Sequence, residues 1–400
     1  MKSSKTLLPP EILSKGVVLT DCLEFLRNIP SMSVDLIYLD PPFFTQKEHK
    51  LTSRKGEEYF FSDCWESREA YLNFLQERLI EMHRVLKESG NIFLHCDNNA
   101  SHHLRILLDD VFGESNFRSE IIWSYKRWSN SRKDLLPNHQ VILFYSKSKV
   151  NTFNTIYTDY SPTTNIDQIL QERARENGKA VYKRDDHGNI VSAGEKKGVP
   201  LSDVWEIPFL NPKAKERTGY PTQKPIELLK RIIEIGSNKG EIVLDPFCGS
   251  GTTLVAAKLM DRQFIGCDIN PDAVSLSTDR LKQPFMTESA LLKKGAKSYD
   301  TKTEYEKAIL EELDCTIVQR NKGIDGFTKQ HIDGKPVAVK IQKKEESIDE
   351  AMRLLDAAGK KKECSRTILV AHTELPKSYP ENMTILKGFD LQMKLEKVTE

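Results

Sequence analysis

Two short apolar runs, each ending in an aspartate that is followed by proline, constrain the fold of this chain most strongly. The first run, VDLIYLD (34–40), continues as PPFF, and the second, EIVLD (241–245), continues as PFCGSGTT. Runs of this kind, bounded by turn residues, are typical of strands buried on both faces of a parallel sheet. Ligands bind such sheets beyond the carboxyl ends of the strands, so both Asp-Pro turns are candidate binding edges.

Helical and strand-like segments alternate around these two runs. Residues 65–90 place apolar side chains at helical spacing, and the segments NIFLH, HHLRILLDDVFG and SEIIWSY follow as strand, helix and strand. Beyond residue 215, the alternation runs through PIELLKRIIEIG, EIVLD, GTTLVAAKLM and QFIGCD to a helix opened by Asn270 and Pro271. This order predicts an α/β fold with a doubly wound, mostly parallel sheet.

Periodicity and composition divide the chain into four segments. The alternating pattern covers 15–124 and 216–287, and an inserted module covers 125–215, with a sheet-edge strand near 139–148. Residues 288–400 become rich in Lys and Glu but keep strand-like and helix-like stretches, which predicts a small separate α+β domain.

Composition limits the class of protein. The chain has 400 residues, 38% of them hydrophobic, and a formal net charge of +1, so any polyanion would have to meet local basic patches. No apolar run approaches the roughly 18 residues of a membrane-spanning helix, and the N-terminus lacks a signal-peptide core, so we expect a cytoplasmic protein with no membrane partner. The seven cysteines include no CxxC pair, which predicts reduced thiols and no metal site.

The turn after the second run has the features of a ligand-binding loop. Gly249 and Gly251 would let the backbone approach a ligand, and Asp268, at the next strand end, could accept hydrogen bonds from a ribose. The GSGTT segment lacks the third glycine of the dinucleotide fingerprint and the lysine of a phosphate-binding loop. It therefore favours a nucleoside that lacks a pyrophosphate and carries a positive charge near Asp245. On its own, the motif is equally compatible with a simple tight turn.

The turn after the first run offers two hydrogen-bond acceptors beside a flat ring. Asp40 supplies a carboxylate, Pro41 a carbonyl without a competing N–H, and Phe43 the ring. This set suits the exocyclic amine of a planar base, because holding both amine hydrogens frees the nitrogen lone pair to attack an electrophile. A rigid turn without chemistry is the alternative for this motif taken alone.

Together, DPPF and the later DPFCGSGTT resemble the amino-group DNA methyltransferases that use S-adenosylmethionine, in the permuted arrangement in which DPPF comes first. The resemblance covers roughly residues 15–285. It implies a Rossmann-like sheet of seven strands with one antiparallel strand, and HQVILFYSKS as part of a hairpin edge. It also makes 15–124 the catalytic half, 125–215 the target-recognition insert, 216–287 the cofactor-binding half and 288–400 an accessory domain.

The resemblance further implies the residues of the site. The catalytic turn is Asp40, Pro41, Pro42 and Phe43. Contacts with S-adenosylmethionine fall to Asp21, Cys22, Thr222, Gln223, Lys224, Asp245, Pro246, Phe247, Gly249, Gly251, Thr252, Thr253 and Asp268. The chain departs from the family pattern at Thr20, where glycine is more frequent, and at Tyr220, where many relatives have histidine.

The expected reaction is direct methyl transfer to the N6 amine of an adenine flipped out of double-stranded DNA, in a restriction-modification system. Aspartate at the first position of DPPF favours adenine, since relatives that act on cytosine N4 more often have serine there. The residues expected at the target base and the DNA are Trp123, Lys126, Arg127, Trp128, Arg132, Lys133, Lys183 and Arg184. Alternatively, Trp123 is an ordinary core tryptophan, and the basic residues lie in a solvated loop that does not contact DNA.

Several alternatives stay open at this stage. They are transfer to cytosine N4, transfer to an RNA base or a protein amide, and a non-catalytic DNA-binding subunit. A homodimer and a cognate restriction endonuclease are both compatible with the sequence. We expect His95, His102 and His103 to be structural.

The C-terminal segment faintly resembles a metal-dependent nuclease, with Asp325 before a strand that contains Lys340. Ala338 stands where that pattern requires a metal-binding carboxylate. We therefore expect an accessory domain for DNA contact or dimerisation.

Overall fold

The computed structural model describes residues 16–52, 58–126, 135–160, 171–191, 198–210, 214–287, 300–319, 321–372, 376 and 378–387. The chain divides into two compact units, Met1–Lys293 and Lys294–Glu400. Within the described ranges, no helix has both the length and the apolar character that crossing a membrane requires.

The first unit contains six α-helices among its described residues. They are α1 (Cys22–Arg27), α2 (Arg68–Val85), α3 (Ser101–Phe112), α4 (Ile226–Gly236), α5 (Thr252–Leu259) and α6 (Pro271–Lys282). The side chains of Asp21, Ser67 and Asn270 cap the first turns of α1, α2 and α6 by accepting backbone N–H bonds. The Asn-Pro start predicted for α6 is therefore present.

The strands of this unit alternate with the helices. They are β1 (Val17–Leu19), β2 (Val34–Leu39), β3 (Lys47–Thr52), β4 (Glu58–Asp63), β5 (Leu86–Cys96), β6 (Phe117–Ser124), β7 (His139–Ser146), β8 (Tyr157–Thr158), β9 (Arg173–Glu176), β10 (Lys179–Tyr182), β11 (Val199–Pro200), β12 (Val204–Glu206), β13 (Ile242–Asp245) and β14 (Gln263–Asp268). Three two-stranded antiparallel sheets pair β3 with β4, β8 with β11 and β9 with β10.

The main sheet has eight strands in the order β1-β14-β13-β2-β5-β7-β6-β12. Only β7 runs antiparallel to its neighbours in this sheet. The α/β class and the single antiparallel strand agree with the sequence-based prediction, but the strand number does not. The eighth strand, β12, has only three residues, which is too short for its alternation to be recognised.

The position predicted for the strand near 139–148 was also wrong. This strand, β7, lies between β5 and β6 rather than at the sheet edge. Its last six residues, from Val141 to Ser146, are all buried, as expected for a strand with neighbours on both sides.

Pairing of β2 with β13 brings the two Asp-Pro turns together. The strands are parallel, with Leu36 opposite Val243 and Ile37 opposite Leu244. Their carboxyl ends therefore open on the same edge of the sheet, beside that of β14, which pairs with β13. This is the edge at which ligands bind doubly wound sheets.

A helical layer covers each face of this sheet. Phe25, Leu79 and Leu104 of α1, α2 and α3 belong to one buried cluster, and Ile232 and Leu254 of α4 and α5 belong to the other. Burial of apolar side chains on both faces fixes the positions of the strands, and so of the loops that follow them.

The second unit contains α7 (Glu304–Glu312), β15 (Cys315–Ile317), β16 (Gly326–Thr328), β17 (Val337–Ile341), α8 (Ile348–Lys361), β18 (Arg366–Ala371) and β19 (Met383–Lys387). Its sheet has the order β15-β16-β17-β18-β19, antiparallel through β17 and parallel beyond it. The helix α8 connects the parallel pair β17 and β18 and packs Leu355 against Ala338 and Leu369.

Candidate active site

A cavity of about 630 Å³ lies at the carboxyl-terminal edge of the main sheet. This volume is within the range of small-molecule sites. The predicted site residues that line it are Asp21, Cys22, Asp40, Pro41, Pro42, Phe43, Thr222, Lys224, Pro246, Phe247 and Asp268. One pocket thus joins the turn after β2 to the loops after β13 and β14.

The turn after β2 is fixed by an acid that the sequence analysis did not single out. Asp63, which is 1% exposed at the end of β4, accepts hydrogen bonds from the backbone N–H groups of Phe43, Phe44 and Thr45 at 3.2, 3.0 and 2.8 Å. It also accepts from the Thr45 hydroxyl and the Trp65 indole. The β3–β4 hairpin returns Asp63 to the turn, and this long-range return has no local sequence signal.

Two residues of this turn adopt backbone conformations that non-glycine residues rarely take. Phe44 has φ of 60° and Gln46 has φ of 55°, both in the left-handed region. Such conformations persist only where surrounding contacts impose them. The five bonds to Asp63 and the hydrogen bond from Tyr71 to the Pro42 carbonyl are contacts of this kind.

Asp40, at the end of β2, forms an ion pair with Lys224, which precedes α4. The Lys224 ammonium donates to Asp40 Oδ2, and the two side chains are 6% and 18% exposed. Asp40 Oδ1 is buried without a hydrogen-bond partner among the described residues, 4.0 Å from His95 Nδ1. Burial raises the pKa of Asp40, and the hydrogen bond and charge of Lys224 oppose that rise.

His95 lies behind Asp40 and is fully buried. Its ring nitrogens contact the Tyr38 hydroxyl at 2.8 Å and Gln140 Oε1 at 3.0 Å. Burial lowers the pKa of His95 well below its usual value, and the nearby Lys224 charge lowers it further, so the ring is neutral. Phe43 packs on this ring with centroids 5.9 Å apart, which helps to position Phe43 at the pocket wall.

Glycine is required at two positions in the loop after β13. Gly249 has φ of 48°, and an added Cβ would lie 3.2 Å from the Tyr220 ring. Gly251 has φ of 72°, and an added Cβ would lie 2.7 Å from Ser277 Oγ. The Gly249 N–H donates to Asp268 Oδ2 at 2.8 Å, so the loop and the end of β14 form one unit.

Asp245 is a buried acid below this loop. Burial raises the pKa of Asp245 to about 7, because it outweighs the bonds from Thr253 and the Phe247 N–H, and the charges of Asp40 and Asp268 add to the rise. Asp268 also has a raised pKa through burial, opposed by backbone N–H bonds. Asp40, Asp245 and Asp268 are therefore close enough for their charges to interact, and this group of acids favours a positively charged ligand.

Asp21 holds the first turn of α1 as well as lining the pocket. Its Oδ1 accepts from Leu23 N at 2.8 Å, and its Oδ2 accepts from Arg78 at 2.7 Å. Burial raises the pKa of Asp21, but the hydrogen bond and charge of Arg78 and the backbone bonds hold it below its ordinary value. Arg78 was not among the predicted residues, since its position on α2 resembles any helical arginine.

Six of the predicted cofactor residues do not line the main pocket. Asp245, Gln223, Thr252 and Thr253 line a smaller cavity of about 40 Å³, and Gly249 and Gly251 line neither cavity. Gln223 bonds to Thr218 and to the Glu216 carbonyl, and it thereby shapes the loop that carries Lys224.

The structure contradicts the placement of Trp123 at the target base. Trp123 is fully buried, donates to the Ile207 carbonyl at 2.7 Å and meets His95 edge-on. Trp123 belongs to a buried cluster that includes Tyr125 and Trp205, so it is a core residue that contacts His95.

The predicted DNA-contacting residues lie in the insert. Lys126, Lys183 and Arg184 are exposed; Lys183 pairs with Glu172 at 2.9 Å, and Arg184 bonds to the Gly188 carbonyl. Arg127, Trp128, Arg132 and Lys133 lie outside the described residues.

Comparison with known proteins shows that the chain is similar to DNA methylases. The family model N6_N4_Mtase, described as DNA methylase, matches residues 34–279. The chain is 28% identical over 86% of its length to Type II methyltransferase M.HpaI of Haemophilus parainfluenzae, covering 97% of that protein. It is 31% identical over 67% of its length to DNA adenine methyltransferase YhdJ of Escherichia coli K12, covering 83% of that protein.

A similarity to solved structures is also found. The crystal structure of the M1.HpyAVI–SAM complex aligns with a TM-score of 0.42 at 20% identity, covering 66% of this chain and 98% of that one.

Proposed function

The chain belongs to the N6/N4 family of DNA methylases, and from this premise we propose that it methylates the N6 amine of adenine in double-stranded DNA. The observation that carries the proposal is the single pocket that joins the Asp40 turn to the strand ends at Phe247 and Asp268. Two further points support adenine: the name DNA adenine methyltransferase of the E. coli relative, and aspartate at the first position of DPPF.

The methyl donor of this family is S-adenosylmethionine, which supplies an electrophilic methyl group on a positively charged sulfur. The pocket residues fit such a molecule. Asp268 offers a carboxylate to a ribose, Ile269 is 74% exposed and offers an apolar surface to a base, and the acids favour a cation. We assign the cofactor to Asp21, Phe247, Asp268 and Ile269, with Gly249 keeping the loop close to Tyr220.

The Asp40 turn is proposed to hold the target amine. The Asp40 carboxylate would accept one amine hydrogen and the Pro41 carbonyl the other, which directs the nitrogen lone pair toward the cofactor side of the pocket. Phe43 would stack on the base. Asp40 is also placed to accept the proton that the nitrogen loses after transfer. No nucleophilic cysteine is required, and burial raises the pKa of the Cys248 thiol well above its usual value.

Entry of the base requires its extrusion from the duplex, because an amine within stacked, paired DNA cannot reach the Asp40 turn. We assign contacts with the phosphate backbone to Lys126, Lys183 and Arg184 and to the basic residues of 127–133. The name Type II methyltransferase of the H. parainfluenzae relative supports a role in restriction-modification, with a cognate endonuclease as partner.

Transfer to cytosine N4 is the second candidate. The family model joins N6 and N4 enzymes, and the acceptors of the Asp40 turn suit either exocyclic amine. The identity of the methylated nucleoside separates the two candidates.

We propose an accessory role in DNA contact or dimerisation for the second unit. Its Asp325 carboxylate pairs with Lys302, and its Lys340 ammonium pairs with Glu346 at 3.0 Å. Ala338, on the same strand as Lys340, supplies no carboxylate, and no group of three metal-ligating side chains occurs in the described part of this unit.

The test is to incubate the purified chain with tritiated S-adenosylmethionine and unmethylated genomic DNA, digest the DNA and identify the labelled nucleoside. We expect label in N6-methyladenine, reduced at least about a hundredfold in Asp40→Ala and unchanged in the exposed control Asp261→Ala. Label in N4-methylcytosine would correct the base. An unlabelled DNA fraction with a protein that binds the cofactor would contradict the proposal.

A further inference from the structure

The ion pair between Asp40 and Lys224 has a consequence for the chemistry of the Asp40 turn. The two residues come from opposite ends of the domain sequence and meet at the pocket, where both side chains are largely buried. Lys224 also donates to the Thr222 carbonyl at 3.3 Å, and its ammonium lies 5.4 Å from the Phe43 ring centroid. Lys224 therefore connects the loop that carries it to the Asp40 turn.

Asp40 differs from the other buried acids of the site in how its charge is stabilised. Asp63 accepts five hydrogen bonds, and Asp268 accepts backbone N–H bonds from Gly249 and Asn270. Among the described residues, the hydrogen bond that Asp40 accepts comes from Lys224, and its Oδ1 is buried with no partner. A buried carboxylate without donors normally takes up a proton instead of staying charged.

The other groups around Asp40 do not supply positive charge. His95 of β5 is buried and neutral, and Tyr38 of β2 bonds to that histidine rather than to Asp40. A negative charge on Asp245, at the end of β13, would disfavour a second one on Asp40. The Tyr220 hydroxyl on the neighbouring loop is neutral, because burial raises its pKa well above the usual value. Lys224 is thus the cation that balances this cluster within the described residues.

We propose that Lys224 is a positioning residue that keeps Asp40 ionised, so that the carboxylate can accept a hydrogen of the target amine. This inference rests on the proposed methyl transfer. A protonated Asp40 would present a donor to the amine and could not take the proton released at the end of the reaction. A carboxylate oxygen has two lone pairs, so Oδ2 can bind the lysine and the amine together.

One lysine among several acids also preserves attraction for a cationic cofactor. Asp40, Asp245 and Asp268 can carry up to three negative charges, and Lys224 offsets one of them. The assignment moves Lys224 from the cofactor side, where the family resemblance puts it, to the side of the target base.

The first test is the pH dependence of single-turnover methyl transfer at saturating cofactor, between about pH 5.5 and 9. Lys224→Met removes the charge and keeps the chain length, Lys224→Arg keeps the charge, and Lys239→Met removes a lysine from an exposed ion pair with Asp261. For Lys224→Met we expect the acidic limb to move upward by at least about one pH unit, which lowers the rate about tenfold at pH values on the acidic limb of both proteins and allows recovery at higher pH. Lys224→Arg and Lys239→Met should keep the wild-type limb.

The second test needs no turnover. Infrared difference spectra between each protein and its Asp40→Asn counterpart, recorded without cofactor, report the carbonyl band of a protonated Asp40. At neutral pH the band should be present in Lys224→Met and absent in the wild type. If Lys224→Met misfolds, Lys224→Gln takes its place in both tests.

The outcomes separate this inference from the proposed function. A uniform loss of rate with an unmoved pH profile and no protonated Asp40 would assign Lys224 a structural role and overturn the inference. Absence of methyl transfer by the wild type would refute the proposed function, and the infrared bands would then still decide the charge of Asp40.

Discussion

Replacing Asp63 by asparagine tests whether this acid holds the turn that carries Asp40. Five donors converge on the two carboxylate oxygens, and the residue is 1% exposed. An amide offers one acceptor oxygen with two lone pairs, and its nitrogen is itself a donor that faces other donors. Even if the amide oxygen takes the place of Oδ2, which accepts three of the donors, the two donors on the Oδ1 side lose their acceptor.

The magnitude follows from that number. Each buried donor left without a partner costs about 1–3 kcal/mol, and single substitutions seldom exceed about 5 kcal/mol, so we expect the free energy of unfolding to fall by about 2–5 kcal/mol. The turn should also relax, because Phe44 and Gln46 are held in left-handed conformations. A displacement of Asp40 by about 1 Å would lower the methyl-transfer rate about a hundredfold.

Urea unfolding and single-turnover transfer measure the two effects on the same protein. The control is Asp261→Asn, since Asp261 forms an exposed ion pair with Lys239 and its variant should unfold like the wild type. Cofactor affinity should change little in Asp63→Asn, because Asp268 and Phe247 belong to other loops. An unchanged unfolding midpoint together with an unchanged rate would refute the idea that Asp63 holds the turn.

Two further predictions concern the cofactor side. Burial raises the pKa of Asp245 to about 7, so a cationic cofactor should bind more weakly at pH 6, where this acid is mostly protonated, than at pH 8. Titration calorimetry should detect this pH dependence, and Asp245→Asn should abolish it. Gly251→Ala should lower the free energy of unfolding by about 1–3 kcal/mol more than Gly240→Ala, because both have positive φ but only the first added Cβ meets Ser277, at 2.7 Å. Equal urea midpoints for the two variants would contradict this.

The sequence was sufficient to predict the frame of the site. The apolar runs before Asp40 and Asp245 predicted buried parallel strands, and their pairing brings the two turns to one edge. The cap at Asn270 and the glycines at 249 and 251 were likewise recognisable, because each depends on local backbone geometry.

Contacts between distant segments could not be predicted in the same way. The Lys224–Asp40 pair and the return of Asp63 to Phe43 through the β3–β4 hairpin depend on tertiary packing. Trp123 shows the converse error: we expected it at the target base, whereas it is fully buried and pairs in the sheet with Trp205 of the short strand β12. The burial of a side chain on a sheet depends on the neighbouring strands, and a strand of three residues, such as β12, is too short to be recognised in the sequence.

The central claim is that the Asp40 turn holds the target amine and that the strand end at Asp268 holds the cofactor. It is tested most directly by comparing Asp40→Asn with Asp268→Ala in two assays, equilibrium binding of S-adenosylmethionine and single-turnover transfer to DNA. We predict that Asp40→Asn binds the cofactor like the wild type but transfers methyl groups at least about a hundredfold more slowly, whereas Asp268→Ala loses affinity and regains most of its rate at saturating cofactor. Loss of cofactor binding in Asp40→Asn, or undiminished transfer by it, would contradict the account.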